Sequence, residues 1–269
     1  MLKFFLIPIF LYAAMLLFLY LTQQHLIYFP SGFSPTPAEA GVSEMQVVTL
    51  NTTDGLSLKA WYRPSLHSRL PTVIFFHGNA GNIGNRGQIT QPFLKHGYGV
   101  LLTTYRGYSG NPGEPDESGL YADARAAFKF LLDQNVPENC IVLYGESLGS
   151  AIAIQMATEY EPGAIILQSP FSSLGDVGQF HYPFFPVKWL IKDQYSSFEK
   201  AERIKIPVLV LYGAKDDIIP PNFSIQLYDV FTTTKEIQAI PNSGHNDPFN
   251  SVFAIDFIKK HVRDCRREK

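Results

Sequence analysis

Cysteine is nearly absent from this chain: only Cys140 and Cys265 occur among 269 residues. One sits at the head of an expected core strand and the other in the tail, so a disulfide framework is excluded and two separate thiols are expected. Positive charge is not in excess either. The formal net charge is −2, and the only basic cluster is the terminal Arg263, Arg266, Arg267 and Lys269, read as a solvated tail over residues 263–269. Nothing here offers the electrostatic footprint of a nucleic-acid binder. Repeats and low-complexity tracts are missing, and with 46% hydrophobic residues the chain can bury one large core in a single globular domain. His, Cys and carboxylate pairs at metal-ligand spacing are missing too, so neither a metal nor a cofactor is expected.

What the chain does have is a charge-free run from Phe4 to Leu21, about eighteen residues against the roughly twenty that cross a bilayer core. A cleaved signal has a shorter apolar region followed by a small-x-small site. Here the run passes instead into Thr22-Gln23-Gln24-His25 and Leu26-Ile27-Tyr28-Phe29. We therefore expect an uncleaved transmembrane anchor over residues 1–23. A buried core helix is disfavoured because the run has no polar face. Lys3 and the terminal amine precede the span, and no Lys or Arg follows before Lys59. The amino end should then face the cytoplasm, with the main domain on the opposite side. Residues 24–44, rich in Pro and Gly, read as a linker.

From residue 45 to 262 the pattern is that of one α/β domain. Met45 to Asn51 and Leu56 to Arg63 flank Thr53-Asp54-Gly55 as a hairpin. Continuous apolar runs at Thr72–His77, Gly99–Thr103, Ile141–Tyr144, Ala164–Leu167 and Val208–Tyr212 read as parallel strands covered on both faces. Helical stretches near 87–96, 117–134, 150–160 and 222–231 separate most of them, and a strand near 236–240 and a helix near 251–262 complete the alternation. Residues 171–203 interrupt it and read as a short lid. Its Phe180, Tyr182, Phe184 and Trp189 are candidates for the wall of an apolar acyl site, or for packing of the insertion onto the domain.

Gly145-Glu146-Ser147-Leu148-Gly149 lies between the run Cys140–Tyr144 and the helical Ser150–Tyr160. Strand, sharp turn and helix in that order make a nucleophile elbow that projects the Ser147 hydroxyl at the carboxyl edge of the sheet. A serine needs a histidine to take its proton, and the histidine needs a carboxylate to hold its tautomer. On such sheets the order is Ser, acid, His. Asp216 and Asp217 follow the strand 208–212, and either can serve. His245, in Pro241-Asn242-Ser243-Gly244-His245-Asn246-Asp247, is the best base among seven histidines; Asp247 is a fallback acid that more often caps the next helix. His77-Gly78-Asn79-Ala80-Gly81-Asn82 follows the strand at 72–76. The N–H groups of Asn79 and Leu148 are the candidate oxyanion hole, and His77 is an orienting residue rather than a second base.

These motifs, with Phe76, Tyr105-Arg106-Gly107-Tyr108, Ser169-Pro170-Phe171 and Gly213-Ala214-Lys215-Asp216, resemble the α/β-hydrolase superfamily over about residues 24–262. More narrowly, they resemble its membrane-anchored, serine-aminopeptidase-like branch, related to protein depalmitoylases. The resemblance implies a mostly parallel central sheet of about eight strands flanked by helices, with the short lid and the N-terminal transmembrane helix added. It also implies Asp216 as the acid, and Asn79 and Leu148 as the oxyanion donors. It departs at Thr104, where such chains often carry an aspartate. The implied activity is hydrolysis of a small-molecule or lipid-like carboxylic ester or thioester through an acyl-serine. The alternatives are a peptidase or amidase, or a catalytically silent membrane-tethered interaction protein on the same fold.

Overall fold

The hairpin after Val42 starts the central sheet: strands β1 (Gln46–Asn51) and β2 (Ser57–Arg63) are antiparallel, closed through Gly55 at φ +91°. In this computed structural model, which describes residues 2–247, 251–262 and 265, six further strands follow. They are β3 (Thr72–Phe76), β4 (Gly99–Leu102), β5 (Ile141–Glu146), β6 (Ala164–Gln168), β7 (Val208–Gly213) and β8 (Lys235–Ile240). Their order is β8-β7-β6-β5-β3-β4-β2-β1. Every pair from β8 to β4 is parallel, and the two pairs involving β2 are antiparallel. The four basic residues of the expected tail, Arg263, Arg266, Arg267 and Lys269, fall outside the described residues.

Alternation along the strands divides the core in two. Ile74, Leu101, Leu143, Ile165 and Val210 join one buried cluster, while their neighbours Val73, Val100, Val142, Ile166 and Leu209 join the other. Successive strand residues point to opposite faces, so both faces must be covered. Helices α3 (Glu117–Asp133), α4 (Leu148–Glu159) and α8 (Pro221–Val230) supply one cover, and α2 (Gly87–Lys95) and α9 (Val252–His261) the other. α3 starts at the N-cap Asp116, whose carboxylate accepts from the Gly119 amide. Between β6 and β7 stand α5 (Leu174–His181), α6 (Val187–Leu190) and α7 (Ser197–Ala201), the cap that the sequence places at 171–203.

The first helix, α1 (Leu2–Ile27), is six residues longer at its carboxyl end than the apolar run. Its segment Leu6–Ile27 is long and apolar enough to cross a membrane. The extension holds because the cap accepts its polar residues. Gln23 Nε2 donates to the Leu190 carbonyl at 3.3 Å, and Gln23 Oε1 accepts from the Lys192 amide at 2.7 Å.

Residues 24–44, expected as a linker, are bound to the domain. Phe29–Pro30 pairs in parallel with Ala80–Gly81. Val42 and Met45 are buried with Ile83 and Phe93, and the Gly41 carbonyl accepts from Gln91 Nε2 at 2.9 Å. The turn-forming residues that suggest a spacer are interleaved with apolar ones that gain by burial, and those decide the outcome.

Candidate active site

Ser147 stands between β5 and α4 at φ 52°, ψ −116°, a left-handed region that costs a non-glycine residue on the order of 1–3 kcal/mol. The turn is this tight because two side chains are missing beside it. A Cβ on Gly149 would fall on the backbone of Phe76 and His77, and one on Gly145 on that of Gly149 and Ser150. α4 therefore starts against the end of β3, with Ser147 as its N-cap.

Three side chains meet there. Ser147 Oγ donates to His245 Nε2 at 3.0 Å, and His245 Nδ1 donates to Asp216 Oδ2 at 2.8 Å. The other carboxylate oxygen of Asp216 accepts the amides of Ile218 at 3.1 Å and Ile219 at 2.7 Å. Burial pushes the Asp216 pKa up, but the hydrogen bond and charge of His245, with the Ile219 amide, outweigh it and hold the carboxyl below its usual value. Asp217 is exposed. Asp247 is engaged elsewhere, accepting the Gly244 amide at 2.7 Å.

The loop after β3 is fixed from three directions. Tyr105 Oη donates to the His77 carbonyl at 2.8 Å, and Tyr108 Oη to the Asn79 carbonyl at 2.7 Å. Phe29 N also donates to the Asn79 carbonyl at 2.9 Å, and Asn79 Nδ2 donates to the Ile27 carbonyl at 2.7 Å. Among the described residues, neither the Asn79 nor the Leu148 N–H donates to a protein acceptor. His77 is fully buried; burial first and the Arg86 charge second lower its pKa to about 3. It is neutral at pH 7, donating from Nδ1 to the Gly78 carbonyl at 2.6 Å. Thr104, at the departure from the family pattern, places Oγ1 3.4 Å from His77 Nε2 and 3.2 Å from Ser109 Oγ.

Several supports were not foreseen. Arg86 grips Glu146 of the elbow with two bonds, Nε to Oε2 at 2.9 Å and Nη2 to Oε1 at 3.2 Å, tying the Asn79 loop to the turn that carries Ser147. Arg106 is held between Asp123 and Asp54, which orients Tyr105 and Tyr108 beside it. The Tyr-Arg-Gly-Tyr run signals its importance in the sequence, but its bonding partners are far away along the chain.

The lid aromatics bury little of their surface. Phe180, Tyr182, Phe184 and Trp189 are 58%, 61%, 86% and 88% exposed, whereas an acyl wall requires buried faces. Phe180 lines a cavity of about 660 Å³ with Phe223, Phe198, Lys188 and Asp176, and none of Ser147, Asp216 and His245 borders it.

The ties on Asn79 give a graded expectation. A chain starting at Gln24 keeps Ile27 and Phe29 and should keep its turnover of short, water-soluble esters. One starting at Phe33 loses both and should lose about a hundredfold in kcat, the order of effect that small displacements of reacting groups produce. Equal activity of the two folded chains would show that the loop holds its shape without them.

Comparison with known proteins completes the description. A family profile described as serine aminopeptidase, S33, matches residues 68–198, and one described as acetyl xylan esterase matches residues 195–261. An uncharacterized protein of Mycobacterium tuberculosis is 41% identical over 94% of this chain and 91% of its own length. Protein bem46 of Schizosaccharomyces pombe is 33% identical over 86% and 82%. Among solved structures, an esterase of Pyrococcus furiosus superposes with a TM-score of 0.71 at 20% identity, covering 88% of this chain and 98% of that one.

Proposed function

We propose, from the premise that this chain belongs to the α/β-hydrolase family, in its serine-hydrolase-like branch, that it cleaves carboxylic esters or thioesters through an acyl-Ser147 intermediate. A hydrolase activity of esterase-like type is what the family supports; the residues and the intermediate are our reading. The observation that carries it is the unbroken line of hydrogen bonds from Ser147 Oγ through the His245 ring to Asp216.

His245 takes the hydroxyl proton as Ser147 Oγ attacks the acyl carbon, then gives it to the leaving alkoxide or thiolate. Asp216 fixes the tautomer with Nδ1 protonated, so that Nε2 is the accepting nitrogen, and it stabilises the imidazolium. The Asn79 and Leu148 amides meet the oxyanion, with the amino end of α4 adding its dipole. Water then enters by the same route, with His245 as base, and releases the acid. The substrate is a small-molecule or lipid-like acyl compound, and α1 is an anchor that keeps the enzyme at a membrane.

A fluorophosphonate probe tests the reading: it should label the native protein on the peptide carrying Ser147. p-Nitrophenyl esters and acyl thioesters of graded chain length should then separate the two substrate classes. A folded protein that takes no label and turns over none of these substrates would leave the interaction-protein alternative in its place.

A further inference from the structure

α1 and the cap share a seam. The Tyr12 ring stacks on Phe185 with centroids 6.2 Å apart, and its hydroxyl donates to the Phe184 carbonyl at 2.8 Å. Further along, the Lys192 ammonium lies 4.5 Å from the Tyr20 ring centroid, and Gln23 bridges Leu190 and Lys192. The helix thus runs along the cap from residue 12 to residue 23. At 1.5 Å per residue, the part beyond Tyr12, Leu2–Leu11, measures about 15 Å, half of a hydrocarbon core of about 30 Å. Tyr12 lies within Leu6–Ile27, the segment long and apolar enough to cross a membrane, so where α1 crosses a bilayer the level of Tyr12 lies inside it. The cap tip is bonded at that level.

Resting on the reading that α1 is a membrane anchor, we propose that the cap tip, residues 182–189, is immersed in the near leaflet beside it. The tip suits that solvent. Tyr182-Pro183-Phe184-Phe185-Pro186-Val187 carries no charge, and the most exposed of its large side chains are apolar. Lipid demands that backbone donors be satisfied within the protein. Here two residues are prolines without an N–H, and the amides of Tyr182, Phe185, Val187 and Trp189 donate to the Gly178, Tyr182, Phe185 and Pro186 carbonyls, which leaves those of Phe184 and Lys188 to be met otherwise. One cation lies within the tip, neutralised by its partner, and a second ends the immersed part. Lys188 is ion-paired with Asp176, and Lys192 covers Tyr20, a pairing suited to the headgroup boundary. With Tyr20 at that boundary, Phe184 lies about 12 Å deeper, and about 27 Å of helix extends from Tyr20 to Leu2. The immersed tip starts directly after His181, whose Nε2 donates to the Ile218 carbonyl at 2.9 Å, and the Ile218 amide in turn binds Asp216. The leaflet surface therefore lies beside the loop of the candidate site, where an acyl group carried by the bilayer can reach it.

Tryptophan fluorescence tests this on the full chain reconstituted in phosphatidylcholine vesicles. Trp61 is 2% exposed in the core and Trp189 is 88% exposed, so the difference between the native protein and Trp189→Phe isolates the cap. The expected result is that the Trp189 signal loses most of its intensity when the acyl chains carry bromine, and is shielded from aqueous acrylamide. Moving the indole down, with Trp189→Phe and Phe184→Trp together, should shift the strongest quenching to bromines farther along the chain. Protein that floats with the vesicles while Trp189 ignores bromine and is quenched by acrylamide overturns the immersed cap and leaves the anchor standing. Protein that does not float overturns both.

Discussion

Ser147→Ala is expected to reduce ester turnover on the order of a million-fold in kcat and to abolish fluorophosphonate labelling without unfolding the protein. The hydroxyl contributes one hydrogen bond, to His245, and no packing that alanine fails to supply. The backbone at φ 52° is as strained for alanine as for serine, so the melting temperature should barely change. Ser147→Gly separates the two roles of the position. It should be equally inactive, yet more stable by up to the 1–3 kcal/mol or so that the left-handed conformation costs a side chain, less the entropy that glycine adds to the unfolded chain. Labelling, ester hydrolysis and thermal melts read all three quantities. A folded Ser147→Ala protein that still labels would place the nucleophile elsewhere.

Asp216→Asn is expected to cost about ten-thousandfold in kcat, whereas Asp217→Asn should be close to neutral. An asparagine amide facing His245 Nδ1 donates where the carboxylate accepts, so the proton moves to Nε2 and the nitrogen facing Ser147 is no longer a base. Asp217 is exposed and has no such partner to lose. The same pair predicts a pH signature. The Asp216 carboxyl is held below its unfolded value, so its contribution to stability is complete above the unfolded pKa of about 4 and is lost as the pH falls through the folded one. The native protein should therefore lose stability in that acid window more steeply than Asp216→Asn does. Exchange of the two variants' kinetic effects would make Asp217 the acid.

Ser147 and His245 could be named from the chain because each sits in a short motif at the end of a strand, and strand ends in a parallel sheet share one edge. The strand-end motif left Asp216 and Asp217 open, and only the family resemblance chose Asp216. The sheet was readable for a related reason: strands buried on both faces are written as unbroken apolar runs, as at Val73–Phe76 and Ile165–Leu167. What the sequence could not convey is which distant segments touch. The Phe29–Asn79 pairing joins residues fifty positions apart, and nothing in Phe29-Pro30-Ser31-Gly32 distinguishes a strand that fixes a loop from a spacer. Gln23 and Gln24 look like the polar end of a span, but the cap carbonyl and amide that let the helix continue are some 170 positions away. For Phe184 and Trp189, composition reveals an apolar surface but not whether protein or another phase covers it.

The glycines at 145 and 149 have a consequence of their own. Glu146 and Leu148 occupy their places for what they touch or offer, an arginine in one case and an amide in the other. The glycines occupy theirs for the hydrogen atom that stands where a methyl group would be, and that hydrogen sets how closely a helix can approach a neighbouring strand. The five-letter pattern is in this sense a mould, recording the shape of a gap. Filling the gap at residue 149 would press on the carbonyls of Phe76 and His77 and push the whole of α4 outward. The serine, the Leu148 amide and the helix dipole would then all move off register with the loop they face, although no residue with a chemical role had been replaced.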